Sequence, residues 1–95
     1  MANGNAKKQP TPKIVDVPCE PQSISKGAFT TFTVRYSESG YRCYPILVKE
    51  YRTRFFWGIV IKQTGDGLIV FDYYNNTDIN LSSVTPIVDF LCIPY

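Results

Sequence analysis

The chain reads as a small all-β domain, and three observations carry that reading. Short runs rich in Val, Ile, Thr, Phe and Tyr recur about every ten residues from 29 to 93. Gly, Asn, Asp and Pro cluster between the runs, where tight turns need them. No window shows the apolar spacing of an amphipathic helix. Five or six short strands at this spacing predict a small barrel or sandwich. A length of 95 residues holds one domain.

Residues 1–13 hold only Met1, Ala2 and Ala6 as apolar side chains. They are predicted to form a disordered N-terminal tail, because nothing in them repays the entropy of ordering. Residues 14–27 form an extended segment and loop. Ile14-Val15-Asp16-Val17 is strand-like and Pro18 closes it, while Pro21, small polar residues and Gly27 follow. Residues 28–95 form the barrel domain.

Its first strand spans 29–36, with Phe32, Val34 and Tyr36 on one face. Ser37-Glu38-Ser39-Gly40 turns the chain into a second strand, 41–51. Pro45 within it lacks an amide donor and marks an edge or a bulge. A turn at Arg52-Thr53-Arg54 leads to a third strand, 55–62. Thr64-Gly65-Asp66-Gly67 is the strongest hairpin signal, since glycine accepts the positive φ of a tight turn. A fourth strand covers 68–74, and Asn75-Asn76-Thr77-Asp78 turns again. A fifth covers 79–84, a single helical turn is expected at Ser83-Val84-Thr85-Pro86, and 87–93 closes the domain. The strands at 55–62 and 68–74 are apolar on both faces. That suits a strongly bent sheet curling round a small core, as in an SH3-like barrel of five to six strands. Gly58 would ease the bend or a close backbone approach.

Charge and cysteine content narrow the function. Net charge is +2, but Lys7, Lys8 and Lys13 lie in the tail and the remainder is close to −1. The body therefore lacks the concentrated basic surface that drives nucleic-acid binding. Histidine is absent, which removes Ser-His-Asp and Cys-His catalysis and imidazole metal sites. The carboxylates are scattered or in turns, and no Gly-rich phosphate loop exists. Neither a catalytic activity nor a cofactor is expected. No apolar run approaches a membrane span, and the polar start carries no secretory signal. The three cysteines, Cys19, Cys43 and Cys92, form no Cys-x-x-Cys pair. An odd count without a leader predicts free structural thiols and an intracellular location. A Cys43–Cys92 bridge stays open, because sequence does not supply its geometry.

The run Leu68-Ile-Val-Phe-Asp-Tyr-Tyr-Asn-Asn-Thr-Asp-Ile-Asn-Leu-Ser-Ser-Val84 resembles the C-terminal half of a Tudor domain. Asp72-Tyr73-Tyr74-Asn75 sits where that family carries Asp-Tyr-Gly-Asn, and Leu81-Ser82 follows at the matching distance. Upstream, Phe55-Phe56-Trp57-Gly58 is similar to the family's Trp-Tyr-Arg-Ala run. The resemblance covers residues 55–86 and implies a Tudor-like barrel. It implies cage positions at Phe56 and Tyr73, with Asn75 orienting a methylated lysine or arginine.

Fourteen aromatic residues are more than so small a core easily buries. Phe55-Phe56-Trp57 and Phe71 with Tyr73-Tyr74 come together if their strands form a hairpin. Phe56, Trp57, Phe71, Tyr73, Tyr74 and Asn75 are therefore the candidate binding residues. Exposed rings hold cations, stack bases or anchor protein interfaces. The expected function is non-catalytic binding of a peptide or protein through an exposed aromatic face. The alternatives are a small viral or phage accessory protein that blocks or bridges a host protein, and a weak nucleic-acid-binding barrel that uses the tail lysines.

Overall fold

The computed structural model describes residues 11–50 and 57–95. Those residues form eight strands and no helix. They are β1 (Lys13–Pro18), β2 (Gln22–Ile24), β3 (Phe29–Arg35), β4 (Tyr41–Lys49), β5 (Trp57–Gly65), β6 (Leu68–Asn75), β7 (Leu81–Val84) and β8 (Ile87–Pro94). All pairing is antiparallel, in three sheets ordered β1-β8-β4, β2-β7 and β3-β6-β5. The all-β expectation holds, and most strands fall where the alternating pattern put them.

Among the described residues the sheets do not close into a barrel. Strands β4 and β5 each form the edge of a different sheet. Each is interrupted by a register shift, at Pro45/Leu47 in β4 and at Ile61/Gln63 in β5. A bulge twists an edge, and Pro45 offers no donor to it, so neither edge presents a continuous ladder to the other.

Three boundaries differ from the sequence reading. Lys13 belongs to β1, opposite Cys92, and so is not part of a free tail. Residues 1–10 lie outside the described residues. Segment 14–27 contributes β1 and β2, which pair with β8 and β7 and so complete the fold. The helical turn expected at 83–86 is absent. Ser83 instead takes φ +55°, and Thr85 donates its amide to Glu50 Oε2 at 3.2 Å. The chain thus bends directly from β7 into β8.

One core lies among the three sheets. Phe32, Val34, Ile69, Phe71 and Tyr73 supply it from β3 and β6, and Cys43, Val88, Phe90 and Cys92 from β4 and β8. Ile24, Leu81 and Val84 close one end from β2 and β7. Register places Phe32 opposite Phe71, with ring centroids 5.3 Å apart. Tyr73 meets Phe32 edge-on at 6.1 Å. Offset and edge-to-face rings add to the area they bury.

Cys43 and Cys92 are cross-strand partners and form a disulfide, which corrects the expectation of three free thiols. The β4–β8 register brings residues 49 apart in sequence to a Cα separation of 4.0 Å, a proximity that no spacing rule reveals. Only Cys19 is free among the cysteines. Burial first, and the charge of Glu50 second, push its thiol up to about 11. With two of the three cysteines paired, the cysteine count ceases to argue for a reducing compartment.

Thiol titration in denaturant without reductant is expected to find one group, Cys19. Reduction should lower unfolding free energy by about 4 kcal/mol, the chain-entropy value for a loop of this length. Three thiols, or an unchanged melt after reduction, would contradict the pairing.

Candidate functional site

The candidate residues drawn from the sequence separate once register is known. Phe71, Tyr73 and Asn75 are fully buried. They share a parity on β6, and that parity faces the core because it opposes Phe32 and Val34 on β3. An exposed aromatic face therefore cannot be built from Phe71 or Tyr73. Tyr74 has the opposite parity. It is half-buried and stacks on the exposed Phe29 at 4.8 Å. Gly58 lies beside it, and a Cβ there would stand 3.0 Å from Asn76 Nδ2 and 3.5 Å from Tyr74 Cβ. Phe56 and the Trp57 side chain lie outside the described residues.

Asn75 is structural. Its Nδ2 donates to Ile24 O at 3.0 Å and to Ile79 O at 2.8 Å. Its Oδ1 accepts from Thr77 N at 3.0 Å and from Thr77 Oγ1 at 2.5 Å. These bonds satisfy a buried amide and fasten β2 to the turn after β6. An asparagine spent in this way has no group left to orient a ligand.

A second group of aromatic residues lies at the opposite end of β6. A cleft of about 730 Å³ opens where the β3–β4 turn, the β5–β6 turn and the C-terminus meet. Tyr36, Tyr41 and Tyr95 bring three rings to it, and Glu38 and Asp66 bring carboxylates. Backbone contacts fix its parts. Gly67 N donates to Cys43 O at 2.6 Å, Tyr36 N donates to Gly67 O at 3.0 Å, and Tyr95 N donates to Gly40 O at 3.1 Å. Asp66 Oδ1 accepts from Cys43 N at 3.2 Å. Gly67 sits at φ +71°, and a Cβ on it would lie 2.5 Å from Tyr36 O, so only glycine fits that turn.

Two of the residues that line the cleft, Tyr41 and Glu38, hold a cation beside it. Lys13 Nζ lies 4.8 Å from the centroid of the Tyr41 ring and forms an ion pair with Glu38. Tyr36 donates its hydroxyl to the other Glu38 oxygen at 2.6 Å. Hydrogen bonds from Lys13 and then from Tyr36 hold the Glu38 carboxyl below its usual range, and the bond to Glu38 raises the Lys13 ammonium. Sequence reasoning missed this site because its residues come from two turns and the C-terminus, with Lys13 added from β1. The one available signal was the density of Tyr, Ser and Gly from 36 to 41.

Melts of three variants separate the two aromatic regions. Tyr73→Ala should cost about 3–5 kcal/mol through cavity formation. Tyr95→Ala should stay within about 1 kcal/mol of the parent because that ring is exposed, and Tyr41→Ala, at a ring half-buried against the core, should cost less than Tyr73→Ala. A tolerated Tyr73→Ala would contradict the core placement.

Among the described residues no group of three or more His, Cys, Asp or Glu is placed to hold a metal ion, and no helix is long and apolar enough to cross a membrane. Comparison of the chain with protein-family models, curated proteins and solved structures finds no match in any of the three.

Proposed function

We propose that this chain is a non-catalytic binding module that takes a peptide or protein partner through a basic side chain in the tyrosine cleft. One observation carries the reading: two residues that line the cleft, Tyr41 and Glu38, already hold the protein's own Lys13 at its edge. A ring face attracts an ammonium by about 0.5–1 kcal/mol at an exposed site, and more as water is removed. The carboxylate adds charge, and the Tyr36 hydroxyl orients that carboxylate. A partner's lysine, methylated or not, presents the same chemistry and competes with Lys13 for the same place. The Tudor-like cage expected around Tyr73 and Asn75 is not part of this proposal, because both are buried.

Calorimetric titration with a short lysine peptide and its norleucine counterpart tests the proposal. The lysine peptide should bind weakly and the norleucine peptide not at all. Tyr41→Ala and Glu38→Gln should each lower affinity about threefold to tenfold. Lys13→Met should raise affinity, because it vacates the place the ligand takes. The pH dependence has a definite sign. Glu38 has a depressed pKa, so its contribution is present above the ordinary value of 4.5 and is lost as pH falls through its lower folded value. Binding should therefore be fully present above pH 4.5 and fade only as pH falls through that lower folded value. Equal binding of the two peptides, or a Tyr41→Ala variant that binds as well as the parent, would overturn the proposal.

A further inference from the structure

The outer face of the β1-β8-β4 sheet carries a second surface, independent of the cleft. Register builds it row by row. Ile14, Leu91 and Tyr44 lie side by side across the three strands. The next row toward one end pairs Ile93 with Arg42, and the next toward the other end holds Asp16, Asp89 and Leu47. Lys49 follows on β4, opposite Ile87.

The face is apolar in the middle and exposed. Ile14 is 59%, Leu47 52% and Ile93 41% accessible. Tyr44 is also exposed. Single exposed apolar residues are ordinary, but a contiguous row across a whole sheet marks an interaction surface. Its ends are oppositely charged. Arg42 stands at one end, its guanidinium 5.3 Å from the Tyr95 ring centroid. At the other end Lys49 Nζ lies 3.2 Å from Asp89 Oδ1 and 3.5 Å from Asp16 Oδ2. One ammonium against two carboxylates leaves that end acidic.

We infer that this face binds a second copy of the chain, sheet against sheet, about a two-fold axis through the Leu91 row. The distribution of charge selects that occupant. A two-fold axis at the centre lays apolar row on apolar row and carries each Arg42 to the acidic end of the other copy. An isologous interface needs this self-complementarity. A partner of uniform charge would meet repulsion at one end. Three strands about 4.8 Å apart and six, eight and nine residues long give a footprint of roughly 15 by 25 Å. That is about 375 Å² on each copy, below the roughly 1,200 Å² total at which standard interfaces begin, so the dimer should be weak and reversible and form at high micromolar to submillimolar concentration.

Sedimentation velocity of the full chain from about 5 µM to about 500 µM spans that range. The expected result is a monomer–dimer equilibrium that weakens as salt rises. Ile14→Lys and Arg42→Glu should each weaken it about tenfold or more while leaving the melting temperature within a few degrees, because both side chains are exposed. A chain that stays monomeric at the highest concentration overturns the inference. So does a dimer that either substitution leaves intact.

Discussion

Among the described residues, two three-stranded sheets are joined by a clamp, the docking of the Asp66-Gly67 turn on Cys43. The turn belongs to the β5–β6 hairpin and Cys43 to β4, in the other sheet. Gly67 donates to the Cys43 carbonyl, Asp66 accepts from the Cys43 amide, and Tyr36 donates to Gly67. Both polar groups of one β4 residue are thereby satisfied by a turn from another sheet. No side chain can enter this arrangement, because the Tyr36 carbonyl occupies the space of any Cβ on Gly67. The disulfide to Cys92 fixes the same β4 position to β8. The clamp therefore ties together β3, β4, β6 and β8 within one turn of chain.

The opposite end is closed by different chemistry. Asn75 bonds to Ile24, Thr77 and Ile79, while its backbone exchanges bonds with Gly27 and Ala28. Between the two ends Phe32 stacks on Phe71 and meets Tyr73 edge-on. Phe71 and Tyr73 of the aromatic-rich strand β6 are thereby spent on the core. The proposed recognition falls to the turns at the clamp end, where Tyr36 and Tyr41 are half-buried against the core and Tyr95 is exposed. Loops held by a rigid scaffold are the usual place for binding residues.

Much of the strand layout was legible from alternation and turn chemistry. The Gly65–Gly67 hairpin and the Pro45 irregularity both appear where glycine and proline signalled them. Strand β2 was not legible, because three residues with two polar side chains give no period. The candidate site was legible only in kind. Alternation separates Tyr73 from Tyr74 but does not say which face is inward. That answer comes from the pairing of β6 with β3, which sets Phe71 opposite Phe32. The Cys43–Cys92 bond and the tyrosine cleft share one cause of invisibility. Both depend on contacts between residues far apart in sequence, and local pattern carries no register.

Amide chemical-shift mapping of the lysine peptide on the labelled chain tests most directly the claim that recognition sits at the clamp end. The account predicts perturbations confined to Tyr36 through Tyr41, Asp66, Gly67 and Tyr95, with Lys13 displaced from the Tyr41 ring. Perturbations centred on Phe29, Gly58 and Tyr74, with residues 36–41 unmoved, would contradict it and return the binding surface to the opposite end of β6.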